Sequence, residues 1–323
     1  MKDDRNLAAP KVDAVVIGRN EGARLTACLS SLKGQVRTVI YVDSGSTDGS
    51  VAEATRLGAK VVSLDMSRPF TAARARNAGA AVLQDGPPDF IQFVDGDCTV
   101  EAGWFDAALA TFSNEPRLAV VCGRRRERFP KASVYNWLAD REWDTPVGPA
   151  KACGGDALFR FDAFTAVNGF NETLIAGEEP ELCLRIRAKG WGVQRIAADM
   201  TLHDAAMTRF GQWWKRAVRA GHAFAEGASL HGKGPDRHWV KETRRALAWG
   251  VGLPLAAITA AIIHPAGALL LTLYPLQVLR LSRRHGWTGA SFLVLGRFAE
   301  AQGALQFYLN RLIGRQQRLI EYK

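Results

Sequence analysis

The chain has 323 residues and is 47% hydrophobic, enough for one large domain with a full core plus an appended region. Gly and Pro are moderate, no segment is low-complexity, and no repeat recurs at solenoid or propeller periods, which excludes disorder beyond the first ten or so residues and excludes repeat architectures. The formal charge of +10 is lopsided: residues 1–204 carry 25 Lys and Arg against 27 Asp and Glu, whereas residues 205–323 carry 17 against 5, so the C-terminal third is built to meet a polyanion, nucleic acid or anionic lipid.

Residues 12–17 form a short apolar run that stops at Gly18, the pattern of a buried strand. Residues 21–32 then place Leu25, Cys28, Leu29 and Leu32 at helical spacing. A second strand over 38–42 ends in Asp43-Ser44-Gly45-Ser46-Thr47-Asp48-Gly49, where Ser46 or Asp48 is placed to cap a helix running to about Leu57. A third strand (60–64), a helix (71–83) and a fourth strand (90–94) follow, the last closing on Asp95-Gly96-Asp97. Strand alternating with helix predicts crossover connections and a mostly parallel sheet, with the ligand beyond the carboxyl ends of the strands. Three polar clusters fall at such ends: Arg19-Asn20-Glu21, Asp43 to Asp48, and Asp95 to Asp97. Farther on, 118–121, 157–161 and 191–196 read as strands and 181–189 as a helix.

After His203 the character changes. Residues 210–230 read as a basic, aromatic helix, 246–263 and 266–279 are uncharged, and His264-Pro265 separates them. Lys241, Arg244 and Arg245 precede this pair, and Arg280, Arg283 and Arg284 follow it. The runs measure about 27 Å and 21 Å as helices against a hydrocarbon core of about 30 Å, which leaves three readings open: a spanning hairpin, a shallow re-entrant one, or a buried hairpin of a soluble domain. Membrane lipids are the expected partner, and nucleic acid is not, because the basic residues flank apolar runs rather than a stacking platform. The stretch 311–323 is expected on anionic headgroups.

Five cysteines (Cys28, Cys98, Cys122, Cys153, Cys183), odd in number and without a CxxC pair, point away from zinc sites and disulfide frameworks and toward a reducing compartment. The N-terminal residues lack the apolar segment of a signal peptide, so the expected location is the inner or plasma membrane with the first domain on the cytoplasmic side.

Asp95-Gly96-Asp97 offers two carboxylates flanking a small residue, a pair that can hold a divalent cation against a diphosphate; an acidic turn is the alternative. Capping explains Asp48 but not Asp43, whose carboxylate suits a base imide or a ribose hydroxyl. His203 can complete a metal site of carboxylates.

The runs Val15-Val16-Ile17-Gly18-Arg19-Asn20-Glu21, Val42 to Gly49, Arg76-Asn77-Ala78-Gly79 and Val94-Asp95-Gly96-Asp97 resemble glycosyltransferase family 2 over roughly residues 12–204. The resemblance implies an α/β, GT-A-type catalytic domain, placed over 1–205, and the charge and hydrophobicity of the rest add basic amphipathic helices over 206–323 with an apolar hairpin at about 246–282. It implies an inverting hexosyl- or N-acetylhexosaminyl-transferase with a nucleotide-sugar donor, UDP-sugars being commonest, and a glycan or lipid-linked acceptor. Asn20, Glu21, Asp43, Ser44, Arg76 and Asp95 would line the donor site, with Ser44 where the family often has a second Asp. Asp95, Asp97 and His203 would hold Mg2+ or Mn2+. Gly177-Glu178-Glu179-Pro180-Glu181-Leu182 resembles the later acidic motif, in which Glu179, or else Glu178, stands for the usual Asp base; an acidic first helical turn is the plainer reading. Gly154, Gly155 and Asp156 resemble the acceptor-side loop. Gln212-Trp213-Trp214-Lys215-Arg216 is only weakly similar to the motif of processive members and reads better as an interfacial helix with Trp at headgroup level. Two rival functions stay in view: a non-catalytic nucleotide-sugar-binding membrane scaffold, and a nucleotidyltransferase. The latter would need a Gly-rich, basic phosphate loop that Gly18-Arg19-Asn20-Glu21 does not supply.

Overall fold

The computed structural model describes residues 9–315 and 319–320, so part of the basic stretch 311–323 and most of the N-terminal leader lie outside the described residues. The chain divides into two units. The first takes in residues up to Ala132, then Ala139–Thr173 and Glu178–Ala205; the second takes Ser133–Leu138, Leu174–Gly177 and the residues from Ala206 on.

In the first unit the predicted alternation holds through β1 (Val12–Gly18), α1 (Ala23–Leu32), β2 (Thr38–Asp43), α2 (Ser50–Arg56), β3 (Lys60–Ser63), α3 (Ala72–Ala81) and β4 (Phe90–Asp95). There follow β5 (Cys98–Val100), α4 (Trp104–Asn114), β6 (Leu118–Glu127), α5 (Val134–Glu142), β7 (Gly148–Pro149), β8 (Ala157–Arg160), α6 (Phe161–Thr165), α7 (Glu178–Ala188) and β9 (Gly192–His203). The sheet order is β3-β2-β1-β4-β8-β6-β9-β5, with β7 on β9. Strands β1 and β4 are almost wholly buried, as near-continuous apolar strands at the centre of a parallel sheet must be.

The sheet is mixed rather than mostly parallel. β1 pairs in parallel with β2 and β4, β2 with β3, and β6 with β9. The β4–β8, β5–β9, β6–β8 and β7–β9 pairings are antiparallel. β8 runs antiparallel to β4, and so it starts where β4 ends. That places Gly154-Gly155-Asp156 beside Asp95 (Phe93 is opposite Ala157).

Helix α3 lies close on β1 and β2 because Gly79 has no side chain. A Cβ there would come 2.4 Å from Val15 Cγ1 and 3.0 Å from Val42 Cγ2. Its N-cap is Thr71, whose hydroxyl accepts from Arg74 N–H. Of the two residues expected to cap α2, Asp48 accepts the N–H of its first residue, Ser50, at 2.9 Å from one position ahead of the N-cap Gly49, while Ser46 Oγ instead accepts Asn20 N–H at 2.9 Å.

The second unit contains α8 (Phe210–His231), α9 (Val240–Leu247), a π-turn (Ala248–Gly252), α10 (Leu253–Ile263), a 3-10 segment (Pro265–Thr272) and α11 (Leu273–Leu312). The second uncharged run is therefore not one α-helix: it begins as 3-10 after Pro265 and becomes α-helical at Leu273. Pro254 has no N–H for the carbonyl four residues back and its ring crowds that carbonyl, which accounts for the π-turn just ahead of it. Gly286, at φ 68°, breaks α11 in two. The interfacial role expected for the tryptophans of α8 does not survive. Trp213 is buried against Phe292 (ring centroids 4.9 Å apart), and Trp214 Nε1–H donates to Gln302 Oε1 at 2.8 Å. These rings pack helix on helix.

Gly79→Ala is expected to cost about 1–3 kcal/mol by overpacking α3 against β1 and β2. Urea titration should show a lower midpoint at unchanged slope, and an unchanged midpoint would contradict the close approach.

Candidate functional site

Register assembles the site. Asp95 is the last residue of β4, and Asp156, just ahead of β8, accepts the Asp95 N–H through Oδ1 at 3.1 Å. Thr201 of β9 donates to Asp156 Oδ2 at 2.7 Å, and Asp156 is wholly buried. β9 runs beside β6 with Thr201 opposite Arg125 and His203 opposite Glu127, and beside β5 with His203 opposite Cys98.

One buried guanidinium ties the acidic groups together. Arg76 Nη2 donates to Asp95 Oδ1 at 2.8 Å, and its Nη1 lies 2.9 Å from both Glu178 Oε1 and Glu179 Oε1. Arg125 completes the cluster: Nη2 donates to Asp95 Oδ2 at 3.1 Å, Nε stands 3.4 Å from Asp156 Oδ2, and the guanidinium lies over the Trp143 ring at 5.0 Å. Burial by itself would raise the Asp95 pKa, but Arg76 and Arg125 outweigh it and hold the carboxyl well below its usual range. For Glu179 the balance is opposite: burial and the neighbouring Glu178 push it up to about 7 against the pull of Arg76. Gly155 lets backbone lie on this cluster, since a Cβ would meet Arg76 Nη2 at 2.8 Å, Asp95 Oδ2 at 3.0 Å and Glu179 Oε1 at 3.2 Å.

Beside it, His203 Nε2 is 3.3 Å from Asp97 Oδ2, and His203 Nδ1 is 3.6 Å from Glu127 Oε2. Glu127 is fixed by accepting Ala205 N–H and Phe129 N–H, each at 3.0 Å, and Trp143 closes over the imidazole edge-on at 4.9 Å. Burial and the nearby Arg125 lower the His203 pKa, which favours the neutral ring, the form that ligates a metal. Ligand atoms of Asp97, Cys98 and His203 lie within 4.8 Å of one another, as do those of Asp95, Cys98 and Asp156. Burial pushes the Cys98 thiol up, so oxygen and imidazole nitrogen are the donors here, a set suited to Mg2+ or Mn2+.

The first two strand ends are braced against each other. Asn20, at φ 57°, accepts Thr47 N–H through Oδ1 at 2.7 Å. Asp43 Oδ1 accepts the Tyr41 hydroxyl at 3.0 Å, and Oδ2 accepts Gly45 N–H and Ser46 N–H at 3.0 and 2.9 Å. Ser44 N–H donates to Gly18 O at 3.1 Å, while its buried Oγ has no hydrogen-bond partner among the described residues. Glu21 pairs with Arg24 at 2.8 Å.

The structure therefore gathers Arg76, Asp95, Glu178, Glu179 and Gly155 at one point and Asp97 with His203 at a second, and joins Asn20, Asp43 and Ser44 in a loop pair. Asp156 does not face an acceptor; its carboxylate is spent beneath Asp95. Gly154 borders open space. Sequence reasoning missed Arg125, Glu127, Trp143 and Thr201. The one signal was the charged run Arg124-Arg125-Arg126-Glu127 directly after a buried strand core.

The family model for glycosyl transferase family 2 matches residues 13–166. The pre-mycofactocin glycosyltransferase of Mycobacterium tuberculosis (strain H37Rv) is 28% identical over 239 residues, 70% of this chain and 48% of that protein. The chain thus spans about half the length of that relative. Glycosyltransferase AglE of Haloferax volcanii is 23% identical over 225 residues, 66% of this chain and 72% of that protein. The structure of mannosyltransferase PcManGT from Pyrobaculum calidifontis, in complex with GDP-Man and Mn2+, matches with a TM-score of 0.63 at 21% identity, over 93% of this chain and 88% of that one, a likeness of fold. Three of the four motifs thus lie at strand ends of a GT-A-type sheet and the fourth on α3, and residues 13–166, which hold them all, are similar to glycosyl transferase family 2.

Proposed function

We propose that the chain is a metal-dependent, inverting glycosyltransferase that moves a sugar from a nucleoside-diphosphate donor to a hydroxyl of a glycan or lipid-linked acceptor at a membrane surface. One observation carries this reading: Arg76 holds the base candidate Glu179 and the strand-end carboxylate Asp95 on a single guanidinium. In a single displacement the acceptor oxygen bonds to the anomeric carbon while the bond to the diphosphate oxygen breaks. The acceptor proton passes to a carboxylate on the opposite side from the leaving group.

Glu179 is the better placed of the two glutamates. Its side chain is 14% exposed, whereas that of Glu178 is 4% exposed. A base near pKa 7 also combines ionisation with proton affinity at neutral pH. Asn20, Asp43 and the unpartnered Ser44 hydroxyl mark the nucleoside side, at strand ends where such folds bind ligands. Asp97 and His203, with Asp95 adjacent, would hold the cation, with Glu127 orienting the imidazole. Such an ion supplies charge neutralisation for the departing diphosphate. The membrane assignment rests on the exposed apolar hairpin of the second unit and its basic flanks.

A panel of UDP-, GDP- and dTDP-sugars with and without Mn2+ tests the class. One donor should bind and turn over only with metal, and Asp97→Ala should lose both. Donor binding without turnover would identify a scaffold, and no metal-dependent interaction in a folded protein would sink the transferase reading.

Glu179→Gln should lower kcat at least about 100-fold with donor affinity kept. Because only the ionised carboxylate accepts a proton, kcat/KM of the wild type should fall as pH drops through about 7. A flat profile from pH 6 to 8 would remove Glu179 as the base.

Glu127→Gln keeps the shape but loses the charge behind His203. It should weaken Mn2+ binding, read by electron paramagnetic resonance of free Mn2+, by about 10–100-fold. Unchanged affinity would make Glu127 a purely structural acceptor.

A further inference from the structure

The apolar hairpin folds back on itself at both ends. At the open end Tyr274 OH donates to Trp249 O at 2.6 Å, with the rings 5.9 Å apart. Near the tip Gly267 lies on α10, so close that a Cβ would come 2.2 Å from the Ala260 carbonyl carbon. The two arms are thus antiparallel neighbours, and the turn between them is His264-Pro265.

The side chains face outward. Ile262 is 80% exposed, Ile263 82% and Leu269 66%. Leu255, Ile258, Leu273 and Leu276 are exposed as well. No charged residue occurs from 246 to 279. Surfaces of this size and character do not face water in soluble proteins.

The backbone donors of the turn are bonded although its side chains are exposed. His264 N–H donates to Ala260 O at 2.8 Å and Gly267 N–H to His264 O at 2.8 Å. Ala266 N–H donates to His264 Nδ1 at 3.2 Å, and Pro265 has no N–H. Every backbone donor from 264 to 267 is therefore bonded within the turn. Water would not require this; hydrocarbon does, because an unsatisfied N–H there costs several kcal/mol.

Length decides how far the hairpin goes. The helix is continuous from Val240 and, by length and composition, long enough to cross; its uncharged part from Ala246 to Ile263 is about 27 Å, and the part beyond Trp249 about 21 Å, against a hydrocarbon core of about 30 Å. One turn beyond Trp249 lie Arg244 and Arg245, and one to three turns beyond Tyr274 lie Arg280, Arg283 and Arg284, all exposed. These cations sit at the same, open end of the hairpin, where headgroup phosphates would be, with Trp249 and Tyr274 at the boundary.

We infer that this hairpin is a re-entrant anchor. With Trp249 and Tyr274 at the near boundary it enters an anionic bilayer from one side, turns at His264-Pro265 about 9 Å short of the far boundary, and never crosses. The inference rests on the membrane assignment made above and decides between its spanning and non-spanning forms.

The test uses the full chain. Purified protein is added to preformed vesicles of phosphatidylcholine alone or with 30% phosphatidylglycerol and floated on a sucrose gradient. The wild type should float with the anionic vesicles, and Ile262→Asp/Ile263→Asp should reduce the floated fraction at least 10-fold. That variant should still bind donor, since no residue of the site lies in the hairpin. The Ile263→Cys variant, probed with a membrane-impermeant maleimide, should be protected from reagent outside the vesicles and equally from reagent trapped in the lumen; the five native cysteines are buried. An environment-sensitive dye attached to the thiol of that variant should be quenched by lipids brominated deep in the acyl chain. Labelling from the lumen shows a crossing helix and overturns the re-entrant form while leaving the membrane assignment intact. Failure of the folded wild type to float, or its isolation as a dimer that covers the hairpin, overturns both.

Discussion

One buried cation organises the carboxylates of the first unit. Asp95, Glu178 and Glu179 all reach Arg76 within 2.9 Å, at the carboxyl end of a sheet where carboxylates alone would repel or protonate. A planar guanidinium can serve three such partners at once, and a lysine ammonium cannot. The rest of the Arg76-Asn77-Ala78-Gly79 motif keeps that group in place. Gly79 sets the depth of α3 on the sheet. Asn77 exchanges two 2.9 Å hydrogen bonds with the backbone of Phe170, and Phe170 presents its ring to the Arg76 guanidinium at 5.5 Å. Four consecutive residues thus position one charge.

The balance of charge around Arg76 separates two carboxylates that look equivalent in sequence. Asp95 is shared by two arginines and stays ionised, whereas Glu179 has only part of one arginine and a glutamate beside it. Asp97 lies outside this cluster, on the neutral imidazole of His203. The two aspartates of the Asp95-Gly96-Asp97 turn therefore face different neighbours: Asp95 the cations that also hold Glu179, Asp97 the nitrogen donor. The intervening glycine and the β4–β5 turn make that divergence possible within three residues.

The first half of the fold was legible because β1, β2 and β4 are largely buried on both faces and its helices keep a 3.6-residue period; neither signal depends on distant contacts. The second half was not, for a physical reason. β6 carries Arg124, Arg125, Arg126 and Glu127 in its last four positions, and a strand of charges reads as loop. It is a strand because Arg125 and Glu127 point into the polar site, where Asp95, Asp156 and His203 replace the missing apolar neighbours. β9 extends to His203 for the same reason. The roles of Arg125 and Glu127 come from pairings with residues some 76 positions away in the chain, Thr201 and His203, and no local pattern encodes these. The mixed sheet was equally hidden: the direction of β8 follows from where the chain returns, not from the composition of Ala157 to Arg160.

The second unit shows the opposite case, in which composition was plain and its meaning was not. Two aromatic or apolar stretches, 210–214 and 246–279, both looked membrane-directed in sequence. Trp213 and Trp214 turn inward and pack on α11. Ile262, Ile263 and Leu269 turn outward and find no protein among the described residues to cover them. Hydrophobicity alone cannot separate these outcomes, since a helix core and a lipid-facing surface draw on the same side chains. What separates them is the treatment of polar groups. Trp214 spends its N–H on Gln302, a side chain in a wet, half-exposed seam. The hairpin turn keeps its backbone N–H groups from 264 to 267 bonded within itself, and its cations lie at one end. Outward apolar side chains joined to a self-bonded turn and basic flanks support the membrane reading proposed for the hairpin, and the inward-packed 210–214 lacks them.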